Sequence, residues 1–248
     1  MALSGEGKLQ VPSAPGAILV VALMGIAGSA DGAAVEQLKV SVDAIQNNGP
    51  IPAEYAFCVP SPRGHTTAGA NKNPEITWSK GPAATKSYAI VVVDTDVPSV
   101  FDDADKEGKV IKESLPRQDF YHMVLVDIPA SQNRLAMGAD SSGITPKGKK
   151  PGATPNGLRG INDYTDATAG TFGGYDGPCP PWNDERLHHY HFIVYAIDVP
   201  SLGLSGNFTG KDAQAATAKH TLAKGEVVGT YTQNPELMKK TKATKSPS

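Results

Sequence analysis

The sequence predicts a mainly β protein of the α+β class, and three observations carry that expectation. Short segments rich in β-branched and aromatic residues recur along the chain, each bounded by Gly, Pro or Asp, the composition of strands set between turns. Two of them, Ala89-Ile90-Val91-Val92-Val93 and Met123-Val124-Leu125-Val126, are apolar at every position, so both faces of those strands are expected to be covered. A single helix is well signalled, towards the C-terminus.

In chain order, Gly16 to Ala30 is the only long apolar run without a charge. It is too short to span a bilayer, but it suits the apolar region of a secretory signal, with Gly28-Ser29-Ala30 as a small-residue cleavage site. Residues 1–30 therefore read as a signal peptide. The mature chain then begins near Asp31 in the periplasm or outside the cell; without cleavage and export the protein stays in the cytoplasm. A short helix is admitted over Ala33 to Leu38. Leu38 to Ile45 alternates, with Leu38, Val40, Val42 and Ala44 on one face. Further strands are expected over Glu75 to Ser79, Tyr88 to Val93, Tyr121 to Ile128, Tyr190 to Ile197 and Glu226 to Thr232. Between them, Ser99 to Gln118 and Gly138 to Gly160 read as two long loops, a length usually tied to function. Thr209 or Gly210 caps an Ala-rich helix over Lys211 to Lys224, and Gly225 stops it. One domain over residues 31–235 is expected, followed at 236–248 by a basic disordered tail with Lys239, Lys240, Lys242 and Lys245.

Lys plus Arg number 23 against 25 Asp plus Glu, a net charge of −2, so no global field draws the chain to nucleic acid or to an anionic membrane. No segment calls for stable membrane insertion. The two cysteines, Cys58 and Cys179, lack a Cys-x-x-Cys spacing, and zinc-ribbon or thioredoxin chemistry has no support. They can bridge in an oxidising compartment, but the expected state is two free thiols, one of them beside a pocket.

That pocket is expected where polar side chains gather at strand ends. Asp94-Thr95-Asp96-Val97-Pro98 follows the first apolar run; it is either an Asx-type turn or one polar wall of a pocket, and an Asp-x-Asp pair can also hold a divalent cation. His122 opens the second apolar run. Gly174 to Pro181 is a stiff Gly- and Pro-rich loop that leads into a strand headed by His188-His189-Tyr190-His191. Period two puts His188, Tyr190, Phe192 and Val194 on one face and His189, His191, Ile193 and Tyr195 on the other. His189-x-His191 has the spacing of a zinc pair, but no third ligand with suitable spacing accompanies it.

Taken in order, these clusters resemble the phosphatidylethanolamine-binding proteins, and among them the bacterial Raf kinase inhibitor-like branch. Asp94-Thr95-Asp96-Val97-Pro98 is similar to the Asp-Pro-Asp-x-Pro segment of that family, with Thr95 in place of proline. Phe120-Tyr121-His122 with its Ile128-Pro129-Ala130 ending resembles the Trp-x-His strand. Gly177-Pro178-Cys179-Pro180-Pro181 with His188-His189-Tyr190 resembles the Gly-x-x-Pro-Pro and His-Arg-Tyr segments, with His189 where Arg is common. The resemblance runs from about Leu38 to Tyr231. It implies a large antiparallel sheet packed on a smaller one with a few peripheral helices. It also implies a small anion pocket for a phosphoryl group, lined by Asp94, His122, His188 and Tyr190, with Gly177, Pro180 and Pro181 as its rim. Protonated His122 or His188 and the Tyr190 hydroxyl would donate to the anion, and Asp94 would orient a histidine. Asp96 is expected to be structural, and Asp184 and Glu185 to make the rim less welcoming to an anion. The implied function is non-enzymatic binding of a small anionic or phosphorylated ligand, with modulation of a partner protein and no cofactor, metal or catalytic residue. The alternative is a metal-dependent hydrolase or transferase using Asp94, Asp96 and the histidines.

Overall fold

A computed structural model describes residues 35–243. The expected signal segment, residues 1–30, lies outside the described residues, as does the end of the tail from residue 244.

Thirteen strands run in chain order as β1 (Glu36–Gln37), β2 (Val40–Val42), β3 (Gly49–Pro50), β4 (Cys58–Ser61), β5 (His65–Ala68), β6 (Ile76–Trp78), β7 (Ser87–Pro98), β8 (Arg117–Pro129), β9 (Arg134–Leu135), β10 (Gly152–Thr154), β11 (Gly157–Arg159), β12 (His188–Ile197) and β13 (Thr221–Tyr231). Among the described residues, three α-helices, α1 (Tyr164–Ala167), α2 (Gly210–Thr217) and α3 (Pro235–Ala243), and one 3-10 turn at Ala53–Tyr55 accompany them. The large sheet has the order β1-β13-β12-β7-β8-β11-β10, with β3 also on β13. Its long central strands pair antiparallel, while β1 and β3 join β13 in parallel, so the sheet is mixed at one edge. A three-stranded sheet, β2-β6-β9, and the β4–β5 hairpin complete the β structure.

Both apolar runs are covered on both faces, as expected. On one face Ile90, Val92, Met123, Leu125, Phe192 and Val194 pack against Val42, Ile76, Trp78 and Leu135 of the small sheet. On the other, Ala89, Val91, Val93, Val124 and Val126 pack with Phe208, just before α2, and with Ala213 of α2. Burial on this scale, at about 25 cal/mol per Å2 of apolar surface, is the main force holding the two layers together.

Several expectations need correction. The described part of the 33–38 segment, from Val35 on, holds a strand, β1, and not a helix. The alternation from Leu38 ends at Val42, because the chain turns at Ala44 (φ 54°); Ala44 is exposed and Ile45 is buried in its place. The C-terminal helix is half as long as expected. Thr209 caps α2 through a reciprocal bond with Asp212, but the helix ends at Thr217 and Thr221 already belongs to β13. Pairing with β12 outweighs the local helix preference of the Ala-rich run. Gly225 is therefore a strand glycine: a Cβ there would lie 2.3 Å from the Leu38 carbonyl oxygen, where β1 crosses close by. The Gly138 to Gly160 loop contains the β10–β11 hairpin, which pairs with β8. The tail begins as α3, whose first turn is capped by the Asn234 side chain accepting from the Glu236 N–H at 2.9 Å.

Candidate functional site

The ends of β7, β8 and β12 meet in register. Tyr190 lies opposite Asp94 across β12 and β7, and Asp94 lies opposite Phe120 across β7 and β8. Two irregularities aim the polar side chains. Val92 pairs with Met123 and Val93 with Tyr121, so His122 is the extra residue of a β-bulge and turns to the same side as Met123. A second shift, after Asp94, leaves Thr95 and Asp96 opposite a single residue; there the Asp94 Oδ1 accepts from the Asp96 N–H at 2.9 Å. The turn reading and the pocket-wall reading of this segment both hold.

The result is a cavity of about 140 Å3 lined by Asp94, His122, Pro180, Pro181, His188 and Tyr190. Gly177 does not line it. It lies beneath the rim, where a Cβ would fall 1.9 Å from the Tyr55 carbonyl oxygen, so only glycine fits without moving the backbone. Rim position is set by the Pro178 carbonyl, which accepts from the Phe57 and Cys58 N–H groups, and by Gln233, which donates to the Pro180 carbonyl at 2.7 Å. The walls missed in the sequence are Phe101 and Ala104 from the 99–116 loop, Phe120, and Tyr164 and Ala167 of α1. That loop is anchored by Asn183, which donates to the Asp103 and Lys109 carbonyls.

Cys58 and Cys179 form a disulfide, with Cα atoms 5.0 Å apart, against the expectation of free thiols. Pairing of the rim with β4 brings together two residues 121 apart in the chain, a proximity that spacing alone does not reveal.

Charges within the site are arranged differently from the expectation. His188 is buried, with Nδ1 2.7 Å from Asp94 Oδ2 and Nε2 3.2 Å from Asp184 Oδ2. Burial opposes its charged form, but the two carboxylates outweigh that penalty and raise its pKa to about 9. Burial likewise opposes ionised Asp94 and Asp184, yet His188, joined at Asp184 by Arg117, holds both carboxyls below their ordinary value. Both nitrogens of His188 are thus occupied, and it has no N–H left for an anion. Asp184 is not on the rim: its carboxylate is fully buried and accepts from Arg117 Nη1 at 2.5 Å and Nη2 at 3.0 Å. Sequence reasoning places this aspartate on the rim, as it does Gly177.

Among the described residues, two polar atoms facing the cavity have no partner within hydrogen-bond distance, His122 Nε2 and the Tyr190 hydroxyl, although the Asp94 carboxylate lies near enough to attract the Tyr190 O–H. The His122 Nδ1–H donates to the Asp176 carbonyl at 2.7 Å. Burial lowers the His122 pKa, and neighbouring Asp94 and Asp176 only partly offset this. Burial, then the nearby Asp94 carboxylate, push the Tyr190 phenol well above its usual value, so it stays protonated. On the opposite face, His189 donates its backbone N–H to Asp96 at 3.0 Å and places Nδ1 2.7 Å from the same carboxylate, while His191 pairs with Glu226. Asp96 also accepts from Arg186 at 3.2 Å, a structural role in keeping with the expectation.

The imidazolium has a consequence for stability. The folded pKa of about 9 lies above the ordinary 6.5, so the folded chain keeps a proton on His188 that the unfolded chain gives up. Its stabilisation is complete below about pH 6.5 and is lost as pH rises to about 9, a change of about 3 kcal/mol. Urea unfolding midpoints are expected to fall across that window, and a flat profile would show a neutral ring.

The ends of β7, β8 and β12 thus surround a cavity with prolines at its rim and with His188, held between Asp94 and Asp184, in its wall, the layout of a β-sheet class of protein with one polar cavity at its strand ends. Residues 41–232 match the family model described as phosphatidylethanolamine-binding protein. The chain belongs to that family. Among its relatives, the UPF0098 protein of Aquifex aeolicus is 29% identical over 174 residues, covering 68% of this chain and 80% of that one. The UPF0098 protein YbcL of Escherichia coli is 28% identical over 165 residues, 66% of this chain and 73% of the relative. The crystal structure of E. coli YbcL, described as a new member of the mammalian PEBP family, shares the fold. Its TM-score is 0.57 at 24% identity, with coverage of 79% of this chain and 98% of that one. The homologue CT736 of Chlamydia trachomatis, described as a putative phosphatidylethanolamine-binding protein, superposes with a TM-score of 0.54 at 23% identity.

Proposed function

We propose that the cavity binds a small anion, the phosphoryl group of a lipid headgroup or of a phosphorylated side chain, without catalysing its conversion, and that occupancy modulates a partner protein. The observation that carries this reading is the pair of buried, unpartnered polar atoms facing one cavity, His122 Nε2 and the Tyr190 hydroxyl. Buried polar groups are nearly always satisfied, so a bound ligand is the natural partner for both. A volume of about 140 Å3 suits one phosphoryl group, well under the roughly 300–1,000 Å3 of sites for drug-sized ligands.

The non-enzymatic reading is supported by what the reactive groups are doing. His188 is held between two carboxylates, and the cysteines are bridged. Asp94 and Asp96 are engaged by histidines, and among the described residues no group of three or more His, Cys, Asp or Glu side chains is placed to hold a metal ion. The metal-dependent alternative thus draws no support from the geometry. The disulfide favours an oxidising compartment, periplasmic or extracellular.

Calorimetric titration with inorganic phosphate and phosphoethanolamine tests the reading. A hydrogen bond to a charged group contributes about 1.5–3 kcal/mol, so His122→Ala is expected to weaken binding roughly tenfold or more. His189→Ala, on the far face, should leave it unchanged. Equal affinities for wild type and His122→Ala would place the ligand elsewhere.

A further inference from the structure

We propose that the cavity takes up its anion together with one proton, and so selects phosphate monoesters over phosphate diesters. This inference rests on the proposed phosphoryl-binding reading and narrows it to phosphorylated side chains and free phosphorylated headgroups, which are monoesters, against intact phospholipids, which are diesters.

The tautomer of His122 is the starting point. A backbone carbonyl only accepts hydrogen bonds, so the 2.7 Å contact with the Asp176 carbonyl fixes the hydrogen on Nδ1. That carbonyl is itself held, because the Asp176 side chain accepts from Asn71, Lys149 and Asn162 at 2.7, 2.7 and 2.9 Å. In the neutral ring Nε2 is therefore a lone pair aimed into the cavity. Around it stand Asp94 from β7, Phe120 on β8 itself, Tyr164 from α1, His188 and Tyr190 from β12, and Asp176.

These surroundings carry no surplus positive charge. The Asp94 and Asp184 carboxylates are balanced by His188 and Arg117, and Asp176 is balanced by Lys149. Among the described residues lining or backing the cavity, no cation is left to receive a dianion. Asp105 of the 99–116 loop adds another carboxylate to the lining, where it accepts from the Trp182 N–H at 3.0 Å, and the unpartnered polar atoms the cavity offers are one acceptor, His122 Nε2, and one donor, the Tyr190 O–H. Their complement is an acid with one O–H and one bare oxygen. A monoester monoanion, RO–PO2(OH)−, has both: its O–H donates to Nε2 and a bare oxygen accepts from Tyr190.

Above its second pKa of about 6, a phosphate monoester is a dianion and must acquire a proton from solvent to bind in this way. The balance is dianion plus proton plus neutral site, giving a complex in which one hydrogen lies between phosphoryl oxygen and Nε2. A diester has no hydrogen to bring near neutral pH. It binds only by forcing a proton onto His122, whose buried ring resists the charge.

The test is calorimetric titration of the full chain with methyl phosphate and with dimethyl phosphate, at pH 6 to 8.5, in buffers of different ionisation enthalpy. Methyl phosphate is expected to bind at pH 8 with uptake of close to one proton, and its affinity to fall about tenfold per pH unit above pH 7. Dimethyl phosphate should bind at least tenfold more weakly at pH 7. His122→Ala, which removes the acceptor for the phosphoryl O–H, should bind methyl phosphate at least tenfold more weakly across this pH range. Wild-type binding of methyl phosphate without uptake at pH 8, or equal affinity for the diester, would overturn the inference while leaving the phosphoryl site in place. Failure of both ligands to bind would remove the phosphoryl reading and this inference with it.

Discussion

Replacing Cys58 and Cys179 together by serine is expected to lower the unfolding free energy by about 5 kcal/mol, the loop-closure contribution of a bridge spanning residues 121 apart. For a domain of this size that corresponds to a fall of roughly 10–20 °C in melting temperature. The loop it closes contains β5 to β11 and the whole approach to the rim, so the unfolded chain gains much freedom when the bridge is absent. The rim should loosen as well, because Cys179 lines the cavity and its neighbour Pro180 is tied to Gln233. Calorimetric melts of wild type with and without reductant, beside the double variant, measure the effect. Coincident midpoints in all three would show that the bridge contributes nothing to stability.

Asp184→Ala is expected to destabilise the fold by about 3–5 kcal/mol, the usual result of removing one partner from a buried ion pair. The substitution strands the Arg117 guanidinium, whose side chain is 6% exposed, and frees one nitrogen of His188 and the Arg186 N–H that the carboxylate accepts. His188 would then be held by Asp94 alone, and its pKa should fall. Asp184→Asn keeps the shape and part of the hydrogen bonding, so it should lose less. Urea unfolding compares the three proteins; an alanine variant within 1 kcal/mol of wild type would mean that the pair is nearly neutral in net effect.

Local chemistry made the centre of the fold legible. β7, β8 and β12 announce themselves as β-branched and aromatic runs, and alternation from His188 separates the cavity-facing residues from His189 and His191. Asp94, His122, His188 and Tyr190 were recognisable as polar side chains at strand ends, and the family resemblance joined them into one place. What stayed hidden depends on contacts between distant segments. The bulge that turns His122 inward is a property of pairing between two strands. The burial of Asp184 requires Arg117, 67 residues earlier in the chain, and was read as surface charge. The shortening of α2 follows from what β12 demands of the next segment. One missed element did carry a local signal: Asn234-Pro235-Glu236 is a helix start, with a capping side chain, a proline in the first turn and an early acid.

The large sheet ends in β1 and β3 on one side and β10 on the other, strands of two, two and three residues. Along β8, where β11 no longer pairs, the outer edge is occupied: the Gly160, Asp163 and Asp176 N–H groups donate to the carbonyls of Val124, Tyr121 and His122. Among the described residues, the borders of the large sheet leave an incoming extended peptide no long run of open backbone groups on which to add itself as a further strand. The same short borders guard against edge-to-edge stacking of copies, the usual route by which sheet proteins polymerise.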